Sequence, residues 1–376
     1  MKLKHILIVI GVLCFSKGNA QLKVNIGVDT TTEKSHMVID FLNKYYSDFK
    51  EDNKVNYNDY FDESDVKLFN YPDKVAFGLI GNTTNYIMGT PYLLALDIKT
   101  DTVKAKVMFA SIDSDSNLTT NFIANYYIKI NDDKCKFLVT QNIETKHWQK
   151  TVIRNVTFHY PPYHKFNRKK AQTLIDSIIS LEKNWNLKPI KLDYYFAETN
   201  KEIQHIKGFD FNFYMARSEY PSGLSYQKEK SVFCSGYGEN YFHEIVHLYL
   251  NPIYPNTSLK EGIAVYYGGS LGKSFNEHII RLNDYIKKHT NLNIADSKEF
   301  HYMDEQTNPQ YTIQALICYL VYKKKGIEGL KKLLEIKSLN EVYQKEFDVN
   351  PNEQNIFLRK QIKQYVANKK YSACRN

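Results

Sequence analysis

The sequence has only one long apolar run, which lies at the amino terminus. Residues 6–15 are mostly apolar, with Lys2 and Lys4 before them and Gly18-Asn19-Ala20 after them. This order is typical of a secretory signal peptide, whereas a membrane-spanning helix needs roughly 20 apolar residues. We therefore predict that residues 1–20 are removed and that the mature chain is exported, periplasmic or secreted, without stable membrane insertion.

Cysteine is scarce as well, with 5 residues and no C-x-x-C pair, which argues against a cysteine metal site or redox site. Loss of Cys14 with the signal peptide leaves Cys135, Cys234, Cys318 and Cys374, an even number in a compartment that permits disulfides. The sequence does not choose among their pairings. A bridge between Cys234 and Cys318 would tie together two segments near the motifs below, and two buried free thiols are the alternative.

Charge of one sign is not in strong excess. The formal net charge is +9, and three lysines of the signal peptide contribute to it without an acidic residue. Aromatic residues are frequent, but they do not alternate with basic residues as in a surface that stacks nucleic-acid bases. We expect no nucleic-acid partner.

One short motif is more informative than these absences. His243, Glu244 and His247 form H-E-x-x-H. Residues four apart lie on one face of an α-helix, so the two imidazoles can hold one metal ion. Glu244 would lie beside that ion, where a carboxylate can take a proton from water and pass it to a leaving group. A surface helix with two solvated histidines is the alternative, but the apolar neighbours Val246 and Leu248 favour a buried helix.

A catalytic zinc ion needs a third protein ligand, and Glu261 is the candidate downstream of the motif. Metzincins are excluded, because Leu250 and Ile253 occupy the positions of their glycine and third histidine. Ser258 is predicted to cap a second helix with Glu261 in its first turn, and Gly268-Gly269 to end it. The alternative for Glu261 is a carboxylate favoured only by the helix dipole.

These two segments resemble the gluzincin metallopeptidases. The H-E-x-x-H motif and the segment Leu259–Tyr267 are most similar to the bacterial peptidase MA-like group, which carries W/L-x-E-G-x-A-x-Y/F after the motif. The resemblance implies one catalytic zinc ion held by His243, His247 and Glu261. It also implies that Glu244 is the general base and that the substrate is a peptide or protein.

A third segment, Tyr311–Leu316 with Gly326 closing the helix, is similar to the tyrosine-bearing helix of gluzincin aminopeptidases. The resemblance implies that Tyr311 stabilises the oxyanion of the tetrahedral intermediate. A packing or surface role is the alternative, since the chain has 30 tyrosines. The segment 236–240 looks like the G-x-M-E-N signature of those enzymes, but it abuts the zinc helix, and residues 239–240 are predicted to start that helix. Exopeptidase activity is therefore not supported.

The fold class predicted for the chain is α+β, in two domains. Residues 21–150 should form a small domain of one helix and an antiparallel sheet, faintly similar to NTF2-like or cystatin-like folds. The helix is predicted over 35–50, and strands over 103–109, 122–130 and 135–141.

Residues 151–376 should form the catalytic domain, which the resemblance implies is thermolysin-like with a mixed sheet and a mainly helical carboxyl-terminal part. Strands are predicted over 152–159, 190–196 and 231–234, and an amphipathic helix over Arg168–Trp185. Ser274 and Glu277 have the spacing of a capping box at a further helix.

The function that these features favour is an exported zinc metallopeptidase. The alternatives are a catalytically silent member of the fold that acts as a secreted binding module, a structural zinc protein, and a zinc hydrolase for non-peptide amides or esters. Substrate, cleavage specificity, endopeptidase or exopeptidase action, oligomeric state and disulfide pairing stay open at this stage.

Overall fold

The computed structural model describes residues 22–373 except 53–54, 70, 78–88, 133, 213–214 and 216–220. The predicted signal peptide and Cys374 lie outside the described residues. Among the residues described, none of the helices combines the length and apolar composition needed to cross a bilayer.

The described residues divide into two compact units, residues 22–62 with 76–138, and residues 63–75 with 139–373. The division lies before the predicted domain boundary at residue 150, because the strand that begins at Gln149 pairs within the sheet of the second unit.

The first unit packs one long helix against a sheet. Its elements are β1 Lys23–Val24, α1 Glu33–Asp52, α2 Tyr57–Tyr60, β2 Thr90–Lys99, β3 Thr102–Ile112, β4 Leu118–Asn131 and β5 Lys134–Leu138. The strands follow the order β1-β2-β3-β4-β5, parallel between β1 and β2 and antiparallel elsewhere. Tyr45 and Tyr46 of α1 lie edge-on to Phe137 and Phe109 of the sheet, which closes an aromatic core.

The predicted helix and the first two predicted strands of this unit are confirmed. The third was predicted to reach residue 141, but β5 ends at Leu138 and a helix begins at Thr140. Alternation of apolar residues does not mark that stop, since the short helix continues the mixed pattern of apolar and polar residues.

The second unit combines a mixed sheet with most of the helices. Its elements are α3 Glu63–Leu68, α5 Thr140–Glu144, β6 Gln149–Ile153, β7 Val156–Tyr160, α6 Arg168–Trp185, β8 Leu192–Ala197, α7 Asn200–Ile206, β9 Phe209–Asn212, β10 Ser222–Tyr226, β11 Ser231–Ser235, α8 Phe242–Leu250, α9 Lys260–Gly268, α10 Phe275–Lys288, α11 Pro309–Leu334, α12 Leu339–Phe347, a 3₁₀ turn Pro351–Glu353 and α13 Gln354–Ala373. The helix α4 Lys74–Phe77 spans the division between the units.

The sheet of the second unit has the order β10-β11-β8-β7-β6. The inner pairs are parallel and the outer pairs antiparallel, so the predicted mixed sheet and the α+β class are confirmed. Helix α6 has the predicted bounds, with Asn167 as its cap and left-handed Asn186 ending it. The prediction of a single strand over 152–159 is wrong. These residues belong to a hairpin of β6 and β7, because Arg154 takes a φ of 55° and reverses the chain between the two strands.

A buried cationic cluster lies on the face of this sheet formed by Tyr226 and Phe233. The Lys74 ammonium lies 4.0 Å from the Tyr226 ring centroid and pairs with Glu229 at 2.5 Å. The Lys207 ammonium lies 5.3 Å from the Phe233 ring centroid. Burial, together with the charge of Lys74, lowers the pKa of Lys207 to about 7.

This shift makes the stability of the protein depend on pH. Between pH 7 and pH 10 the unfolded chain keeps the Lys207 proton that the folded chain has released, so the contribution of Lys207 to the free energy of unfolding should rise with pH, by at most about 1.4 kcal/mol per pH unit. Lys207→Met should remove this contribution, so that its free energy of unfolding rises less steeply with pH than that of wild type. Urea unfolding at pH 7, 8 and 9 measures it, with Lys201→Met on the exposed side of α7 as control. Equal slopes for Lys207→Met and wild type would contradict the assignment.

Candidate metal centre

Helix α8 carries the H-E-x-x-H motif in a fully buried segment. It begins at Phe242 and is capped at its carboxyl end by Asn251. The prediction that residues 239–240 start this helix is wrong. Gly238 has a φ of 64° and turns the chain before the helix, and the Glu239 carboxylate accepts a hydrogen bond from the Asn167 backbone nitrogen at 2.5 Å instead.

Helix α9 places Glu261 in its first turn and ends at Gly268, as predicted. The predicted cap is wrong. Leu259 occupies the cap position without a side-chain hydrogen bond, and the Ser258 hydroxyl is buried with no hydrogen-bond partner among the described residues. The hydroxyl of Thr257 accepts from the Leu259 backbone nitrogen at 3.3 Å, so the neighbouring residue supports this turn.

Two glycines let α9 approach its neighbours closely. A Cβ atom at Gly262 would lie 2.4 Å from Cβ of Gln314 on α11, and one at Gly268 would lie 2.4 Å from the backbone nitrogen of His243 on α8. Real Cβ atoms do not tolerate such distances. Helix α9 is therefore wedged between α8 and α11, which brings Glu261 opposite the two histidines.

The three predicted ligands converge on one point. Nε2 of His243 and Nε2 of His247 are 3.2 Å apart, and the two oxygens of Glu261 lie 3.4 and 3.5 Å from these nitrogens. Ligand atoms held about 2.0–2.1 Å from a tetrahedral zinc ion are about 3.3–3.4 Å from one another. The separations thus match those of three ligands of one zinc ion.

The hydrogen bonds of the imidazoles also suit a cation. His243 donates from Nδ1 to the Gly269 carbonyl at 2.7 Å, and Nδ1 of His247 lies 3.4 Å from Oδ1 of Asn251. With the proton on Nδ1, the Nε2 lone pairs of both rings face each other and the Glu261 carboxylate. Lone pairs so close repel one another unless a positive charge lies between them, so the residues present fit a metal ion.

In the metal-free protein, a proton on Nε2 can take the place of the metal ion between these groups. Burial opposes ionisation of Glu261, but hydrogen bonds and charge from His243 and His247, which require such a proton, outweigh it and hold the pKa of this carboxyl well below its ordinary value. Burial also disfavours protonation of His247, yet the Glu261 carboxylate raises the pKa of that imidazole. The carboxylate therefore stays ionised and available to a cation.

Glu244 is buried beside these ligands and against an edge strand. A Cβ atom at Gly223 of β10 would lie 2.9 Å from Cγ of Glu244 and 2.2 Å from the Tyr241 ring. The backbone of β10 therefore passes directly over the motif. Sequence reasoning missed this strand, although Gly223 between Ser222 and Leu224 is the kind of residue that marks close backbone approach.

Tyr311 lies in the first turn of α11, where its backbone nitrogen donates to the capping Asn308 side chain at 3.1 Å. It is half-buried, and burial together with the nearby Glu261 charge raises the pKa of its phenol. The structure thus brings Tyr311 into electrostatic range of Glu261. As predicted, regular helix geometry breaks at Gly326, which has a φ of 63°.

The cysteines among the described residues are free thiols: Cys135 is half-buried, and Cys234 and Cys318 are buried. A bridge between Cys234 and Cys318 is therefore excluded. The Cys234 sulfur lies 3.0 Å from the Tyr194 hydroxyl instead. The alternative prediction for Cys234 and Cys318, two buried free thiols, is confirmed.

The close approach at Gly268 leads to a stability prediction. Gly268→Ala should lower the free energy of unfolding by about 1–3 kcal/mol, because the added methyl group meets backbone of α8 that cannot move aside. Chemical denaturation of the metal-free protein measures this, and Gly27→Ala, whose Cβ would have only Asn25 Oδ1 at 3.4 Å, is the control. A Gly268→Ala protein as stable as Gly27→Ala would show that α9 can shift freely.

No family model, curated protein or solved structure matches this chain. The function of the site must therefore be argued from its geometry and its chemistry.

Proposed function

We propose that this protein is an exported zinc-dependent metallopeptidase of the gluzincin type. The observation that carries the proposal is the convergence of His243, His247 and Glu261 at separations of 3.2–3.5 Å, with Glu244 beside them outside the ligand set. When bound, zinc supplies a Lewis acid that polarises a carbonyl group and makes water acidic enough to ionise near neutral pH.

Glu244 is the proposed general base and acid. Its carboxylate follows the first ligand in sequence and is buried within the same helix, so it is held beside the ligands without being one of them. It removes a proton from the attacking water and then delivers a proton to the leaving amine. A protein that only binds zinc has no need of this carboxylate, which argues against the silent binding module and the structural zinc protein.

Strand β10 is the proposed site of substrate alignment. It is an edge strand in the sheet of the second unit and pairs with β11, and its Gly223 backbone lies against Glu244. An extended peptide that adds to such an edge makes backbone hydrogen bonds of the antiparallel or parallel type. The scissile bond would then pass close to the carboxylate. This arrangement favours a peptide over a non-peptide amide or ester.

Tyr311 is the proposed donor to the oxyanion that develops at the scissile carbonyl. A phenol with the ordinary pKa of about 10 is protonated at neutral pH, and burial and the Glu261 charge raise the pKa of Tyr311 further, so the hydroxyl can donate a hydrogen bond. The start of α11 is fixed by Asn308, which accepts hydrogen bonds from the backbone nitrogens of Gln310 and Tyr311. A donor on a capped helix end needs little reorganisation during the reaction.

The test is digestion of a mixed peptide library by the mature zinc-loaded protein, read by mass spectrometry. We expect cleavage that stops when a chelator removes the metal and returns when zinc is added back. The positions of the new termini distinguish endopeptidase from exopeptidase action. Absence of cleavage by protein confirmed to hold zinc would overturn the proposal and favour a binding role or a non-peptide substrate.

A further inference from the structure

A tight loop between α9 and α10 sets the orientation of His243. Ser270 and Lys273 exchange two backbone hydrogen bonds of 2.9 Å, and Gly269, Leu271 and Gly272 all have positive φ. The Gly269 carbonyl accepts the 2.7 Å hydrogen bond from Nδ1 of His243. Any displacement of this loop therefore turns or frees the imidazole of a proposed zinc ligand.

A buried imidazole on α10 makes hydrogen bonds to this loop. His278 is completely buried, and its Nε2 lies 2.8 Å from the Ser270 carbonyl and 3.0 Å from the Ser270 hydroxyl. A carbonyl oxygen only accepts, so Nε2 carries the proton. Burial lowers the pKa of His278, and the nearby charges of Arg281 and Lys273 act in the same direction, against the backbone hydrogen bond and Glu277. The ring is therefore neutral, with a lone pair on Nδ1.

That lone pair faces the segment that leads into α11. Thr307 Oγ1 lies 3.2 Å from Nδ1 of His278 and accepts from Nε of Arg281 at 3.0 Å, so its own proton is free to go to the imidazole. Arg281 also pairs with Asp304 at 2.6 Å. Asn308, which follows Thr307 in the chain, caps the helix that carries Tyr311.

We propose that His278 is a positioning residue that joins the loop orienting His243 to the segment that begins the Tyr311 helix. This inference rests on the proposed function, since it assigns His278 a task at the same site. A single neutral imidazole has one donor and one acceptor on opposite sides, which is what the Ser270 carbonyl and the Thr307 hydroxyl require. Through these two contacts, His278 fixes the positions of His243 and Tyr311 relative to each other without touching the substrate.

The test compares zinc affinity, measured by competition with a chelating dye, for wild type, His278→Leu and His278→Gln. Leucine fills the space but makes neither hydrogen bond. We expect zinc binding to weaken by up to about 10-fold, the lower end of the roughly 10- to 100-fold effect of losing a direct hydrogen-bond partner of a metal ligand, because the Gly269 carbonyl remains and only its support is lost. Glutamine offers a donor and an acceptor, and it should restore most of the affinity. His301→Leu, at an exposed histidine outside this network, is the control and should match wild type.

A second variant covers failure of His278→Leu to fold. Thr307→Val keeps the shape of a buried side chain but removes the proton donor to Nδ1, and it should weaken zinc binding in the same direction by a smaller factor. Folded His278→Leu or Thr307→Val protein that binds zinc as tightly as wild type would overturn the positioning role. A purely structural role would lower the unfolding midpoint of these variants and leave the zinc affinity of the folded protein unchanged.

Zinc affinity and the peptide-library digest together separate this inference from the proposed function. Wild type that binds zinc but cleaves no peptide would overturn the peptidase proposal, while weaker zinc binding by His278→Leu would still support the positioning role. Wild type that binds no zinc would overturn both.

Discussion

Glu244→Gln is expected to reduce peptide cleavage by about 10²- to 10⁴-fold, the usual contribution of a positioned general acid–base group. Glutamine has nearly the same shape as glutamate, so the buried helix should keep its packing. It cannot take a proton from water or return one to the leaving amine. Because Glu244 is outside the ligand set, zinc should still bind.

The measurement is kcat/KM on a peptide found in the library digest, with zinc content determined on the same samples. Glu328→Gln, at an exposed glutamate on α11, is the matched control and should leave both quantities unchanged. If Glu244→Gln cleaved as fast as wild type while fully loaded with zinc, the carboxylate would have no part in proton transfer and the mechanism would be wrong.

Glu261→Ala is expected to have the largest effect on metal binding. It removes one of the three converging ligands and leaves His243 and His247 with facing lone pairs and no anionic partner. The loss of zinc affinity should exceed the roughly 10- to 100-fold cost of losing a hydrogen-bond partner of a ligand. Peptide cleavage should fall with the zinc content.

Isothermal titration or dye competition measures this affinity, and Glu244→Gln is again the informative comparison. Both variants remove a carboxylate from the same site, but only Glu261→Ala removes a proposed ligand. If the two variants bound zinc equally well, Glu261 would be an ordinary first-turn carboxylate, stabilised by the helix dipole and not by a metal.

Local patterns were sufficient for several elements of this fold. Helix α6 has the predicted bounds, because its apolar stripe and its end signals are all contained in one continuous segment. The capping box of Ser274 and Glu277 is present for the same reason. The spacing of H-E-x-x-H likewise puts His243 and His247 on one helix face whatever surrounds that helix.

Predictions failed where a remote contact or an unusual backbone conformation was decisive. No periodicity marks the positive φ of Arg154 that turns one predicted strand into a hairpin. Ser258 has a side chain suited to capping, yet Thr257 supports the turn instead. Strand β10 was missed because its few residues show no alternation, and its role comes from β11 and α8 beside it.

By itself, the sequence determined the helix that carries H-E-x-x-H, the identity of the candidate ligands and the position of Glu261 in the first turn of the next helix, because all of these depend on local spacing. Only the tertiary structure decided that the Glu261 oxygens come within 3.4–3.5 Å of both histidines. That approach depends on Gly262 and Gly268 fitting against two other helices. The Gly269 carbonyl that orients His243 is likewise set by a loop held through His278. Such contacts join residues far apart along the chain, and packing, not local preference, fixes them.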